Sequence, residues 1–318
     1  MSFRFLGTGA YVPETIVTND ALSKLVDTDD EWITQRVGVK RRHISKNQTA
    51  ADMATEAAKR ALENAGVLPA ELDLILVATV SSETAAPSAA CLVQRNIGAA
   101  CMAFDISAAC AGFLFALETA NAYFMTRKIK KALVIGAERL SRLVNWSDRS
   151  TCVIFGDGAG AAVLGEGNAY LDSTFTVTGD DTVLRIPNYA GKSPYWEGKS
   201  EDPFIEMQGQ ATFKFAVQSM VRDIKLLLER NHLSTEDIAC IVPHQANSRI
   251  IELAARKLGI PYERFVLNIT EYGNTSAASV PIALDEAARK GILQKGDKFI
   301  MAGFGGGLAS AANLMIWE

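Results

Sequence analysis

Apolar and polar positions fall into two kinds of block along this chain. Short, almost wholly apolar runs alternate with longer stretches in which apolar residues return every three or four positions. The first kind reads as buried strands and the second as amphipathic helices. Met53, Ala57, Ala61 and Ala65 share one face of a helix predicted from Thr49 to Ala65, which Gly66 and Leu68-Pro69 end. LDLILVATV (72–80), MAFDIS (102–107) and ALVIGAE (132–138) read as strands, with a helix from Ser88 to Asn96 and another from Cys110. VIFGDGAGAAVLG (153–165) reads as the centre of a strand pair. A polar stretch with scattered Pro and Gly (178–203) precedes a long helix predicted from Gln210 to Asn231. Strand IACIVP, helix ANSRIIELAARKLG, strand RFVLNI (264–269), helix SAASVPIALDEAARKG and strand KFIMAG complete an α/β pattern.

The pattern repeats. The run from LILVATV through AFDISAACAGF to ALVIGAE matches the run from CIVPHQA through FVLNITEYGNTSA to FIMAGFGGG, offset by about 165 residues. That period is far longer than a solenoid repeat. It predicts two similar halves, 1–170 and 171–318, each built on a mixed sheet. The offset sets Thr79 over His244, Cys110 beside Asn274 and Gly136 over Gly303. Ligands collect beyond the carboxyl ends of strands in such sheets. Cys110, His244 and Asn274 each closely follow a predicted strand, so one site between the halves is expected to hold all three.

Composition narrows the class. The chain has 318 residues, 48% hydrophobic and 21% charged, with a net charge of -4. A general polyanion-binding role has no support, and no partnership with nucleic acid is expected. Five cysteines stand far apart, with no CxxC pair, which predicts reduced thiols and neither a disulfide framework nor a zinc site. MSFRFLGTGAYVPE lacks the pattern of a signal peptide, and no apolar run reaches membrane-spanning length. A cytoplasmic protein without membrane association is the expectation.

Cys110 carries the chemistry. A lone apolar-context cysteine is usually a packed core residue. Here the neighbours Ala108, Ala109, Ala111 and Gly112 leave room for a substrate carbonyl, and the position at a strand-to-helix junction predicts a helix end that favours the thiolate. The helix that follows is apolar nearly all round, hence buried and rigid. HQAN (244–247) opens a helix directly after a strand. His43 looks like part of a solvated basic face, and His232 like a helix C-terminal residue. Asn274, in GNTSAAS, sits in a strand-to-helix loop that often serves only as a turn. GFGGG (303–307) offers bare backbone to a ligand but no helix start, which argues against a nucleotide-binding loop.

Taken in order, DTDDEWITQRVGVKRRHI, PSAAC, DISAACAGF, DRSTCVIFGDGAGAAVL, VPHQANSRI, YGNTSAASVPIALDEA and FGGG resemble the thiolase superfamily, and within it the β-ketoacyl-acyl carrier protein synthase III family. The resemblance runs nearly end to end. It implies a thiolase-like duplicated fold, two similar mixed sheets in an α-β-α-β-α arrangement. It implies condensation of an acyl-CoA with malonyl-acyl carrier protein, with no cofactor or metal and in a homodimer. By resemblance Cys110 takes the acyl group, the backbone of Cys110 and Gly306 faces the oxyanion, His244 and Asn274 assist decarboxylation, and Phe304 lines the malonyl site. Trp32 and Arg149 match a pair that sandwiches adenine, Arg36 a phosphate-side contact, and Thr28, Phe213, Ala246 and Asn247 positions lining the CoA pocket.

Arg249 and Arg256, seven apart on one helix, with Lys257 and Lys214, suggest a docking patch for an acidic carrier protein. Gln245, Ala246, Asn247 and Ser248 are expected to border that patch. The sequence also departs from the family. Ala86 stands in ETAAPSAA where the family often has a bulky aromatic that closes the partner's acyl pocket, so a roomier pocket is expected. Ser150 replaces a common Gly, and GLASAANLMIW lacks the usual Trp-Gly after the glycines. A thiolase needs a second reactive Cys near the Gly-rich end, yet the last cysteine is Cys240. Elongating synthases pair Cys with two histidines, and plant-type polyketide synthases are usually longer. A plain acyltransferase, a secondary-metabolite starter synthase on this fold and a non-catalytic carrier-binding module remain as alternatives.

Overall fold

A computed structural model describes residues 2–187, 195 and 202–318. The N-terminal half opens with β1 (Ser2–Tyr11), followed by a small arm of β2 (Ile16–Thr18), α1 (Asn19–Leu22), α2 (Asp30–Arg36) and β3 (Arg41–His43). Next come α3 (Ala50–Ala65), β4 (Leu74–Ala78), α4 (Ala89–Ile97), β5 (Met102–Ile106), α5 (Gly112–Met125), β6 (Lys131–Arg139), α6 (Arg149–Cys152) and β7 (Asp157–Gly167). The C-terminal half runs β8 (Tyr170–Asp180), β9 (Leu184–Arg185), β10 (Glu206–Met207), α7 (Gly209–Arg230) and β11 (Cys240–Pro243). It closes with α8 (Ser248–Leu258), α9 (Ile269–Tyr272), α10 (Ser279–Arg289), β12 (Lys298–Gly305) and β13 (Gly307–Ile316).

Among the described residues, one sheet has the order β1-β7-β6-β4-β5 and the other β11-β12-β13-β8. Both contain a parallel pair, β4 with β6 and β11 with β12, continued by two antiparallel strands. Strand alternation divides the side chains into layers. Leu74, Leu76 and Ala78 face a central core with α5 and α10, where Val242, Phe299 and Met301 of the second sheet meet them. Ile75 and Val77 face the opposite way onto α3 and α4. Ile241, Ile300 and Ala302 face α7 and α8. The layers are therefore α-β-α-β-α, as the resemblance implied.

Local chemistry starts the helices. Thr49 and Asp52 exchange hydrogen bonds in a capping box ahead of α3, and Gly66 ends it in a left-handed conformation. Where the sequence pattern misleads, a competing interaction explains it. RFVLNI forms no strand and meets β11 only through a bridge between Phe265 and Ile241. The Gln245 side chain donates to Val266 O and accepts from Asn268 N and Ile269 N, taking bonds that a neighbouring strand would make. VIFGDGAGAAVLG contributes one long strand, β7, and its antiparallel partners are β6 and the N-terminal β1. GLASAANLMIW is β13, held between β12 and β8. Of the polar stretch 178–203, 188–194 and 196–201 lie outside the described residues.

The two halves approach each other closely at several glycines, Gly136 among them. A Cβ at Gly136 on β6 would stand 2.1 Å from Ala277 O, so only glycine lets this turn of the second half settle on the first sheet. That contact brings the turn Ser276–Ala278 against the turn Ala109–Ala111. Both turns contain a non-glycine residue in the left-handed region, Ala109 at φ 45 and Ser276 at φ 48, and both flank the site described next.

Candidate active site

Cys110 lies in a short 3-10 turn between β5 and α5, with the helix proper beginning at Gly112. It lines a cavity of about 790 Å³ together with His244, Asn274, Phe304 and Gly306. Phe213, Ala246, Asn247 and Ser150 line the same cavity. Burial pushes the Cys110 thiol up to about 12, a hydrogen bond from Ser276 pulls it down in part, and Glu138 raises it. Burial thus opposes the thiolate that a helix end is expected to favour. Desolvation disfavours the charged form of this sulfur even though it lines the cavity.

His244 follows β11 and is buried against Phe304, ring to ring at 5.1 Å edge-on. Its Nδ1 lies 2.6 Å from Ser279 Oγ. Ser279 Oγ also accepts from the Gln245 backbone N–H at 3.4 Å, and its own hydroxyl proton has Nδ1 as acceptor. The imidazole then carries its hydrogen on Nε2. Burial lowers its pKa to about 3, so the ring stays neutral.

Asn274 is pinned on both sides by the loop before β7, its amide donating to Ile154 O at 2.9 Å and its carbonyl accepting from Gly156 N at 3.0 Å. Asn274 Oδ1 accepts from Ser276 N at 2.8 Å. With the oxygen occupied, the Nδ2 hydrogens are the donors left for a ligand.

The remaining residues divide. Thr28, Trp32, Arg36 and Arg149 do not line the cavity but cluster beside it, since Asn247 Nδ2 donates to Arg36 O at 2.9 Å. The Arg149 guanidinium rests 5.1 Å above the Trp32 ring and Arg36 lies at 5.8 Å. Arg149 also donates to Asp27 O at 2.7 Å. The guanidinium covers the indole, with no gap between the two groups. Gln245 is buried, with all its side-chain bonds internal, so it does not belong to a docking surface. Ser248 turns its hydroxyl to Val37 O at 3.3 Å and packs on Gly38, away from a partner. Arg249, Arg256, Lys257 and Lys214 are exposed on α8 and α7. Ala86 is exposed and outside the cavity lining of its own chain.

Three residues of this neighbourhood escaped the sequence reading. Ser279 and Ser276 stood inside the quoted GNTSAAS stretch, where their hydroxyls looked like ordinary turn chemistry. Glu138 ends the apolar run ALVIGAE, and a charged residue at the carboxyl end of a buried strand is the signal that marks it. Among the described residues, no group of three or more His, Cys, Asp or Glu side chains is arranged to hold a metal. All five cysteines are free.

The duplicated sheets and the cavity between them define a thiolase-like fold with a cysteine, a histidine and an asparagine meeting at one pocket. Comparison with known proteins narrows this. Models described as 3-oxoacyl-[acyl-carrier-protein (ACP)] synthase III and its C-terminal part match residues 104–179 and 228–317. A β-ketoacyl-[acyl-carrier-protein] synthase III of Clostridium acetobutylicum is 47% identical, over 99% of each chain. The crystal structure of 3-oxoacyl-[acyl-carrier-protein] synthase III from Aquifex aeolicus superposes with a TM-score of 0.93 at 45% identity, covering 99% of this chain and 100% of that one. The priming β-ketosynthase of the R1128 polyketide pathway gives 0.93 at 35% identity, covering 99% and 96%. The chain belongs to the β-ketoacyl-[acyl-carrier-protein] synthase III family of condensing acyltransferases.

Proposed function

We propose that this protein transfers an acyl group from acyl-CoA to Cys110 and condenses it with malonyl-acyl carrier protein, releasing CoA and carbon dioxide. The product is a 3-oxoacyl-acyl carrier protein, the first condensation product of fatty acid synthesis. One observation carries the reading. The buried His244 is fixed as a neutral Nε2–H donor on the cavity that Cys110 and Asn274 also line.

In the first half-reaction the Cys110 sulfur attacks the thioester carbonyl. The backbone N–H groups of Cys110 and Gly306, both on the cavity, donate to the oxyanion that forms. In the second, malonyl loses carbon dioxide and its electron pair moves onto the thioester oxygen. His244 Nε2–H and Asn274 Nδ2–H donate to that oxygen, and neither carries charge that water must solvate. The carbanion then attacks the acyl-Cys110 carbonyl and expels the sulfur. Phe304, buried beside His244, keeps water from the carbanion.

Supporting roles follow from position. Trp32, Arg149, Arg36 and Thr28 bind the nucleotide end of CoA, while Phe213, Ala246 and Asn247 line the pantetheine route. Arg249, Arg256, Lys257 and Lys214 receive the acidic carrier protein. The free edge of β5, with Met102 exposed, suits pairing with a second copy, which would bring Ala86 to the partner's acyl pocket. Light scattering at twice the chain mass tests that homodimer. The five free thiols suit a reducing compartment, which supports a cytoplasmic setting. Incubation with acetyl-CoA and malonyl-acyl carrier protein tests the reaction. A 3-oxoacyl product that requires both substrates is expected, and none with any starter acyl-CoA overturns the reading. The likeness to a priming polyketide synthase supports a second setting for the same chemistry, a starter step in secondary metabolism.

A further inference from the structure

The cavity chemistry leaves one group unused. Glu138, at the end of β6, is completely buried behind Cys110. It accepts from Thr79 Oγ1 at 3.3 Å, from Val80 N at 3.2 Å, from Ser81 Oγ at a short contact, and from Ser276 Oγ at 3.1 Å. Ser276 lines the same cavity as Cys110, and its turn packs against the turn that carries the cysteine. Glu138, Ser276 and Cys110 thus form a chain from a buried carboxylate to the thiol. A carboxylate sealed from water with only hydroxyl and amide contacts, and no cation beside it, is costly to keep charged.

The thiol has need of such a partner. The Nδ1 of His244 takes the Ser279 proton and its Nε2 carries hydrogen, so the imidazole presents no lone pair to the Cys110 S–H. We propose that Glu138, acting through Ser276, takes up the Cys110 thiol proton as the acyl-enzyme forms. The inference rests on the reading of Cys110 as acyl acceptor. Sγ–H passes its proton to Ser276 Oγ while Ser276 passes its own to Glu138 Oε1. The freed sulfur pair bonds to the thioester carbon, and the carbonyl pair moves to oxygen. Collapse of that intermediate breaks the bond to the CoA sulfur, and the proton returns along the same route so that CoA leaves as a thiol. Glu138 never touches substrate, so it is a positioning residue that also holds a proton.

Its environment suits that task. Burial raises Glu138 to about 7, against the lowering effect of its hydrogen bonds. Cys110 faces it across Ser276. The other carboxylates nearby are engaged elsewhere. Asp157 accepts from Ser45 and Ser141, and Glu83 lies near Arg139 and Arg142.

The test is single-turnover acylation of Cys110 by acetyl-CoA, followed by intact mass across pH, beside malonyl decarboxylation by the same preparations. Wild-type acylation is expected to rise through a step near pH 7 as Glu138 ionises. Glu138→Gln should lose that step and slow acylation about 100-fold. That loss should exceed any loss in decarboxylation at least tenfold. Glu138→Asp should restore the pH step, and Ser276→Ala should slow acylation as Glu138→Gln does. Ser276→Ala decides the matter if Glu138→Gln fails to fold. Wild-type rates and pH profiles in both variants overturn the inference and leave the Cys110 reading intact. Parallel loss of both half-reactions also overturns it, because that marks a purely structural role. Absence of any wild-type adduct overturns both readings.

Discussion

Gly305 is pressed against Cys110, since a Cβ there would stand 2.8 Å from the cysteine nitrogen and 3.2 Å from its sulfur. The strand end of the second half is therefore shaped around a cysteine of the first. Gly305→Ala should push the Cys110 turn aside, destabilise the fold by about 1–3 kcal/mol and slow acylation. Thermal unfolding together with adduct formation measures both effects, and a variant that acylates at the wild-type rate refutes the close-packing account.

Ser279 fixes His244 as an Nε2–H donor, and burial keeps the ring neutral. Decarboxylation is thus expected to show no fall assignable to histidine protonation between about pH 5 and 8, the range where an ordinary histidine titrates. Ser279→Ala frees Nδ1 and should cut decarboxylation by about tenfold or more, while His244→Ala should cost about 100-fold or more. A steep acid limb near pH 6.5 that disappears in His244→Ala contradicts the neutral-donor role.

The same burial makes a stability prediction. His244 stays neutral in the fold down to about 3, against its ordinary value of 6.5. Only the unfolded chain takes up that proton, so this contribution is complete above pH 6.5 and is lost as pH falls toward 3. Glu138, raised from 4.5 to about 7, has the opposite sign: its contribution is complete below 4.5 and is lost as pH rises through 7. The melting temperature of His244→Asn should fall less on acidification than that of the wild type. Parallel curves contradict the assignment.

How much of this was legible in the sequence depends on what each residue's partners are. Strands β4, β6, β11 and β12 are apolar runs buried on both faces, and they stand out without any partner. β13 does not, because its Ala, Ser and Asn residues form a strand only between two neighbours. RFVLNI has strand composition, but Gln245 takes its backbone bonds. The places of Cys110 and His244 followed from the strands before them, whereas Asn274 reaches the same cavity after α9, because the predicted strand ahead of it does not form. The state of the cysteine did not follow in this way, because its pKa is set by burial and by Glu138 and Ser276, which lie 138 residues apart in sequence. Gln245 illustrates the same limit, a polar residue in a motif whose partners are all internal.

The proposed docking role of the exposed basic residues on α8 and α7 predicts a selective defect. Arg249→Glu with Arg256→Glu should raise KM for malonyl-acyl carrier protein about tenfold and leave acylation by acyl-CoA near wild type, with wild-type KM rising with salt. An equal loss with both substrates shows that these arginines do not dock the carrier.

Ala86 predicts a broad starter range. Rates with isobutyryl- and octanoyl-CoA should approach or exceed the acetyl-CoA rate, and Ala86→Phe should shift preference back toward acetyl. A strict acetyl preference in the wild type contradicts the roomier pocket.

Beneath all of these lies the claim that one sulfur carries the acyl group between two substrates. Intact-mass analysis reads it directly. With acyl-CoA alone the protein should gain one acyl mass, on the peptide containing Cys110, and malonyl-acyl carrier protein should then clear it as 3-oxoacyl product and carbon dioxide appear. Cys110→Ser should show no adduct. A product formed at the wild-type rate by that variant, or an adduct on Cys91 or Cys101 instead, contradicts the account.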